Sequence, residues 1–168
     1  MKIKILTPED WQQYKLVRLE ALRVSPESFL ASYEEEASWP DVNFQNICHK
    51  SNIFGAFIDH SLVCCAGFDS LDSARTNHRG SIWGMYTKPE CREQGIANAV
   101  IQAIVIHARS CVSQIHLMCA TSNLGALSLY QKNGFKIYGT EPRSIKINDT
   151  YIDKHLMILD LTQPLNKT

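Results

Sequence analysis

An apolar stretch between positions 95 and 110 constrains the fold more than any other part of the sequence. Two neighbouring rows at i, i+4 spacing run along it, formed by Ile96, Val100 and Ile104 and by Ala97, Ile101 and Val105. This spacing predicts a helix from about Gly95 to Ser110 that is buried over most of its surface. Such a helix has to be covered by another layer of the molecule.

The patterns on both sides of this helix predict a sheet that covers it. Apolar runs and alternation predict strands at 2–5, 52–59, 61–70, 79–87, 113–119, 135–140 and 151–161. Further helices are expected at 7–24 and 123–132, with an irregular helical stretch over 27–50 that is broken at Pro40. The order of these elements predicts an α+β fold, a mixed sheet with helices packed on it. We expect one domain over residues 1–168.

The composition argues against several classes of function. The chain has 17 basic and 17 acidic residues, which is unusual for a domain that grips nucleic-acid phosphates. No window approaches the roughly 18 consecutive apolar residues of a membrane span, and the start MKIKILTPED does not read as a signal peptide. The six cysteines form no CxxC pair and no Cys/His ladder, so we expect no metal site and a reducing, cytoplasmic location.

The loop between strand 79–87 and the apolar helix is suited to bind an anion. Backbone amides at a helix start lack partners and carry partial positive charge. A phosphate could approach the amides of Gln94, Gly95, Ile96 and Ala97, since two of these residues have little or no side chain. Arg92 precedes them by one turn and could pair with the same anion. The alternative is a plain helix start with a solvated arginine. The sequence contains no GxGxxG and no GxxxxGK[ST] motif.

A second polar pair occurs in the predicted helix 123–132. Asn123 and Tyr130 are seven residues apart, about two helical turns, and therefore share a face. Ala126 lies between them, and its small side chain leaves space on that face. This pattern describes a groove with polar ends, whereas the alternative is a half-buried tyrosine anchored by its hydroxyl.

These two segments together resemble the GCN5-related N-acetyltransferase (GNAT) superfamily. The R/Q-x-x-G-x-G/A loop is present as residues 92–97, and the N-x-x-A-x-x-x-Y-x-x-x-G-F pattern is present as residues 123–135. Residues 18–22 and 25–29 are also similar to that family. The resemblance covers nearly the whole chain and implies a mostly antiparallel central sheet with helices on both faces.

The resemblance implies acetyl-CoA as donor and a primary amine, on a small molecule or a peptide, as acceptor. The pyrophosphate would lie on the amides of residues 94–97 near Arg92, with the backbone of Met85 and Thr87 binding the pantetheine arm. Asn123 would border the same site, and Tyr130 would protonate the departing thiolate. Direct attack in a ternary complex is expected. A homodimer is left open.

The general base and the acceptor are not assigned by the sequence. The strand position where some relatives have a glutamate is Ser81 here, which leaves Glu35, His78, Asp153 and His155 as candidates. The acceptor site is expected to come from the first helices, loop 71–78 and segment 141–150. The acidic run 34–36 is interpreted as a solvated face, and it hints at a cationic acceptor.

One residue of the loop opposes phosphate binding, and two alternatives to direct acetyl transfer stay open. Glu93 adds a negative charge there, so its carboxylate is expected to point away. Acyl transfer could instead pass through Cys119 or Cys91, although no histidine is placed to activate either thiol. A non-catalytic acyl-CoA-binding or sensor domain on the same fold is the alternative from a different class.

Overall fold

The computed structural model describes residues 1–162 and contains one seven-stranded sheet. Its strands are β1 (Lys2–Ile5), β2 (Asn52–Ile58), β3 (Ser61–Ser70), β4 (Arg79–Thr87), β5 (Gln114–Ala120), β6 (Lys136–Ile147) and β7 (Thr150–Asp160). Its α-helices are α1 (Trp11–Val24), α2 (Tyr33–Ala37), α3 (Asp41–Lys50), α4 (Ile96–Ala108) and α5 (Leu124–Lys132). Short 3-10 turns occur at Pro8–Asp10, Pro26–Ser28 and Pro89–Cys91.

The sheet is mixed and mostly antiparallel, as predicted. The strand order is β1-β2-β3-β4-β5-β7-β6, and only the neighbours β4 and β5 are parallel. The pairing of β4 with β5 ends at Ser81 opposite His116. Because β4 continues to Thr87 and β5 to Ala120, the two strands separate beyond that pair and leave a gap in the middle of the sheet.

Helices cover both faces of the sheet, which confirms the predicted fold class. On one face α4 packs with fully buried Val100, Ile101 and Ile104 against a core that also includes part of α5. On the other face α1 and α3 bury side chains such as Leu22 and Phe44. The apolar rows of α4 therefore meet the sheet, as the sequence spacing indicated.

The irregular helical stretch over 27–50 resolves into two helices separated at Pro40. Ser32 caps α2 by accepting a hydrogen bond from the Glu35 amide at 3.2 Å. Pro40 is the N-cap residue of α3 in an extended conformation, and a proline there leaves no amide that the helix would have to satisfy.

Strand β6 is longer than predicted: the sequence pattern placed its end at residue 140, and this end is wrong. The strand continues to Ile147, and its register against β7 shifts twice. A bulge accommodates the polar segment, in which Arg143 has φ of 54° and donates its amide to Asp153 Oδ1 at 2.8 Å. Pro142 is tolerated because β6 is an edge strand, where a missing amide removes no necessary ladder bond.

Among residues 1–162, no helix is long and apolar enough to cross a membrane. The same part of the chain contains no group of three or more His, Cys, Asp or Glu side chains placed to hold a metal ion.

Candidate active site

A cavity of about 670 Å³ lies at the end of β4. Three stretches of chain contribute lining residues: the turn after α1 (25–29), the end of β4 with the start of α4 (85–98), and the start of α5 (122–129). A volume of this size lies in the range of small-molecule and cofactor sites. The cavity is therefore a place where a ligand can reach the end of β4 and the starts of α4 and α5.

A β-bulge distorts β4 where the strand reaches the cavity. Between Cys65 and Gly67 on β3 the register shifts, so that β4 carries one extra residue. Gly84 adopts φ of +65° in this bulge, a conformation that favours glycine. Bulges interrupt the ladder and leave backbone groups without strand partners. Met85, which lies in the bulge beside Gly84, and Thr87, which follows it, both line the cavity.

The start of α4 forms a backbone cradle with positive polarity. Gly95 is its N-cap residue with φ of +76°, and a Cβ built on it would meet no atom within 4 Å. The first helical hydrogen bond runs from Ala99 N to Gly95 O at 3.0 Å, so the amides of Ile96 and Ala97 precede the helical ladder. Glu93 is also left-handed, with φ of 60°. Open amides at a helix start favour a bound anion.

The loop before α4 is held by its own side chains. Arg92 is exposed, donates from Nε to the Thr87 carbonyl at 3.1 Å, and lies 5.6 Å above the Tyr86 ring. Gln94 donates from Nε2 to the Glu90 carbonyl at 3.1 Å. These internal hydrogen bonds hold the loop that leads into the cradle, and a loop that is held in place loses less conformational entropy when it binds a ligand.

Asn123 is a helix cap as well as a cavity residue. The sequence placed it inside the helix, but α5 begins at Leu124, and the Asn123 side chain accepts a hydrogen bond from the Ala126 amide at 3.1 Å. Its Nδ2 donates to Ser28 Oγ at 3.4 Å. Asn123 thus joins the start of α5 to the turn after α1 across the cavity.

The Tyr130 side chain is buried, and it is not among the residues that line the cavity. The ring packs edge-to-face on Phe135 with centroids 5.8 Å apart. Within residues 1–162, the Tyr130 hydroxyl has no hydrogen-bond partner. Burial raises the pKa of Tyr130 above its ordinary value, and the nearby thiols of Cys119 and Cys64 raise it further.

The structure does not bring the four candidate bases to the cavity. Glu35 is exposed on α2, and His78 borders a different groove at the opposite end of α4. Asp153 accepts the Arg143 amide within the β6 bulge, and His155 Nδ1 lies 2.9 Å from a threonine hydroxyl on β6. Within the described residues, the carboxylates that line the cavity are those of Glu27 and Glu93.

Ser81 and its neighbour His116 mark the point where the sheet opens. They form the last parallel pair of β4 and β5. His116 Nε2 accepts a hydrogen bond from Arg79 Nε at 3.2 Å, and burial together with that guanidinium lowers the pKa of His116. Sequence patterns assigned no role to this histidine, since the groups that lower its pKa, Arg79 and His78, lie far from it along the chain.

Two further expectations about the acceptor side need correction. Loop 71–78 lies beside residues 109–113 at the far end of α4, away from the cavity. The acidic run is not all solvated, because Glu36 is buried and pairs with Arg18 at 2.6 Å. Glu36 is therefore not available to attract a cationic acceptor, and only two of the three acidic side chains in the run 34–36 remain for that role. The turn at residues 25–29 takes part in the cavity instead.

Sequence comparison agrees with the two motifs. Residues 10–135 match the model of the Acetyltransferase (GNAT) family. GCN5-related N-acetyltransferase 6, chloroplastic, of Arabidopsis thaliana is 35% identical over 86 residues, which are 51% of this chain. The match spans 30% of that relative's length.

Solved structures share the fold along almost the full chain. The smu.2055 protein of Streptococcus mutans UA159 has a TM-score of 0.84 at 18% identity, covering 96% of this chain and 99% of that one. The yncA protein of Salmonella typhimurium, solved with its cofactor acetyl-CoA, has a TM-score of 0.78 at 14% identity, covering 100% and 98%. Because the family model covers most of the chain and carries both motifs, this protein belongs to the GNAT family of acetyltransferases.

Proposed function

We propose that the protein is an N-acetyltransferase that moves the acetyl group of acetyl-CoA to a primary amine. One observation carries the proposal: the positive amide cradle at the start of α4 and the bulge of β4 open into the same cavity. A donor with an anionic pyrophosphate at one end and a thioester at the other needs both features in one place. The acceptor amine belongs to a small molecule or a peptide.

The residues of the cradle suit a pyrophosphate. The amides of residues 94–97 would donate to its oxygens, because they precede the helical ladder and nothing covers Gly95. Arg92 is close enough along the loop to add a charge-assisted hydrogen bond. Glu93 is exposed and borders the cavity. Its negative charge opposes phosphate binding, but the surrounding solvent screens this repulsion.

Backbone and phenol groups would serve the acetyl end. Attack of the amine on the thioester places negative charge on the carbonyl oxygen, and the interrupted strand ladder at Met85 offers a backbone N–H to stabilise it. Its neighbour Thr87 would bind the pantetheine arm through its backbone. Tyr130 stays protonated at neutral pH, since its pKa is raised, and it would give a proton to the departing sulfur.

We infer direct transfer in a ternary complex. Cys119 is 5% exposed, and burial raises the pKa of its thiol to about 11, so the nucleophilic thiolate is scarce at neutral pH. Initial-rate plots should intersect, and Cys119→Ala should keep its activity. Parallel plots, or a trapped acetyl-cysteine in mass spectrometry, would favour the covalent route.

The test of the activity is release of free thiol from acetyl-CoA over a panel of amines. The panel should contain amino acids, peptides, polyamines and amino sugars, with each rate compared to acetyl-CoA alone. Amine-dependent thiol release together with an acetylated product supports the proposal. Tight acetyl-CoA binding without turnover on any amine would favour the non-catalytic sensor instead.

A reducing, cytoplasmic location is also part of the proposal. All six cysteines are free thiols, and four of them are buried. Unpaired cysteines in this number suit a compartment that keeps thiols reduced.

A further inference from the structure

The ion pair between Arg18 and Glu36 lies at the edge of the proposed reaction centre. Arg18 on α1 and Glu36 on α2 have side chains that are 11% and 4% exposed. Arg18 Nε donates to Oε2 at 2.9 Å and Nη2 donates to Oε1 at 2.6 Å. Both carboxylate oxygens are therefore held by one edge of the guanidinium.

The other edge of that guanidinium is unused. Within residues 1–162, the hydrogen bonds of Arg18 use Nε and Nη2 and leave Nη1 without a partner, and its side chain is 11% exposed. A guanidinium has five N–H donors, of which the Glu36 pair uses two. The remaining donors form a second fork, the geometry that matches carbonyl and carboxylate oxygens.

The unused edge faces the bulge of β4. A Cβ placed on Gly84 would lie 3.5 Å from Arg18 Nη1, so the absent side chain at this position leaves the approach open. The guanidinium also lies 5.2 Å from the ring of Phe29, which lines the cavity. The free donors of Arg18 are thus close to the backbone that would bind the thioester carbonyl.

The neutral net charge of the ion pair and the donors on its free edge favour binding of an oxygen acceptor over binding of a cation. Glu36 compensates the charge of Arg18, so the pair as a whole does not attract or repel strongly at a distance. The free edge itself carries only N–H donors. A ligand group placed there has to accept hydrogen bonds, and an ammonium group cannot do so.

We propose that Arg18 determines acceptor specificity by binding a carbonyl or carboxylate oxygen on the carbon next to the acceptor amine. The proposal rests on the proposed acetyltransferase function, because the amine has to attack a thioester bound at the bulge. Free amino acids and peptide N-termini both present such an oxygen. Polyamines and simple alkylamines do not.

The test is equilibrium binding of matched acceptors to the CoA-saturated protein. Phenylalanine, phenylalaninamide and phenethylamine share one side chain and differ only in carboxylate, amide carbonyl or neither. We expect phenethylamine to bind roughly 10- to 100-fold more weakly than the better of the other two, the usual range for hydrogen bonds to a charged group. Which of the two binds better distinguishes a free amino acid from a peptide N-terminus.

Arg18→Lys is the matched variant, since it keeps a positive charge opposite Glu36 and removes the second fork. It should abolish the preference over phenethylamine. Arg18→Met combined with Glu36→Met removes both charges and gives the same readout if the lysine variant unfolds. Equal binding of all three ligands to the wild type, no binding by any of them, or an unchanged preference in both variants would overturn the proposal. Preferred binding without acetylation would contradict the acetyltransferase function and leave the role of Arg18 standing.

Discussion

Tyr130 is buried, and its hydroxyl has no hydrogen-bond partner within residues 1–162, which makes its substitution informative. Tyr130→Phe keeps the edge-to-face packing on Phe135 and removes only the hydroxyl. If the phenol supplies the proton to the leaving sulfur, kcat falls by roughly 10²–10³. The KM for acetyl-CoA changes little, because the interaction matters most in the transition state. Steady-state kinetics on both proteins measures this.

Thermal unfolding of the same variant provides the control. If the hydroxyl were purely structural, its loss would lower the free energy of unfolding by about 1 kcal/mol. The melting temperature would then fall, and kcat would stay near normal. In residues 1–162 that hydroxyl has no partner to lose, so we expect an unchanged melting temperature. Wild-type turnover in Tyr130→Phe would remove this residue from the mechanism.

At the residue scale, local signals were predictable and pairings between distant segments were not. The loop at 92–97 follows from glycine and alanine at a helix start, and the structure places Gly95 there as the N-cap with open space around it. The pairing of Arg18 with Glu36 joins two helices, and no spacing rule connects residues 18 positions apart. The acidic run therefore looked uniformly solvated, although one of its members is buried.

Among the elements, α5 depends on the cap that Asn123 provides. Asn123→Ala removes the acceptor of the Ala126 amide hydrogen bond and should destabilise the protein by about 1 kcal/mol. Asn123→Asp keeps an oxygen at the cap and should retain most of the stability. Denaturant unfolding of the three proteins measures the difference. Equal stability of the alanine variant would show that the cap contributes nothing.

The length of β6 shows which element boundaries a sequence obscures. The segment 141–147 is polar and contains a proline, which are signals of a loop. Pairing with β7 overrides them, since β7 offers partners between Thr150 and Ile158 and the bulge absorbs the irregular residues. The apolar helix α4, in contrast, follows its pattern to within two residues at its C-terminal end.

The whole molecule carries buried thiols whose titration links stability to pH. Burial raises the pKa of Cys48, Cys64 and Cys119 to about 11, from a value of 9.0 in the unfolded chain. Their contribution to stability is complete below the unfolded pKa and is lost as the pH rises through the folded pKa, since the unfolded chain then binds fewer protons. The free energy of unfolding should therefore fall between about pH 8 and pH 11.

Denaturant titrations across this range, on wild type and on Cys64→Ala, isolate the effect. The alanine variant is less stable at neutral pH because it loses packing. The stability gap between the two proteins should narrow as the pH rises, since only the wild type loses the contribution of that thiol. A gap that stays constant would contradict the assigned pKa shift.

The fold class was predictable for the whole molecule because hydrophobic periodicity identifies each layer. The gap between β4 and β5 was not, since it depends on where a parallel pair stops. The extent of the domain, a homodimer and the cytoplasmic location stay predictions.

The central claim is that acetyl-CoA binds on the amides at the start of α4, and calorimetric titration of acetyl-CoA tests it most directly. Gly95→Asp puts a carboxylate where the pyrophosphate would lie and should weaken binding by at least roughly 100-fold through like-charge repulsion. Gly95→Ala is the matched control, because it carries the same left-handed backbone strain at φ of +76° and the same Cβ but adds no charge, so its affinity should fall much less than that of the aspartate variant. Unchanged acetyl-CoA affinity in a folded Gly95→Asp protein would contradict the account.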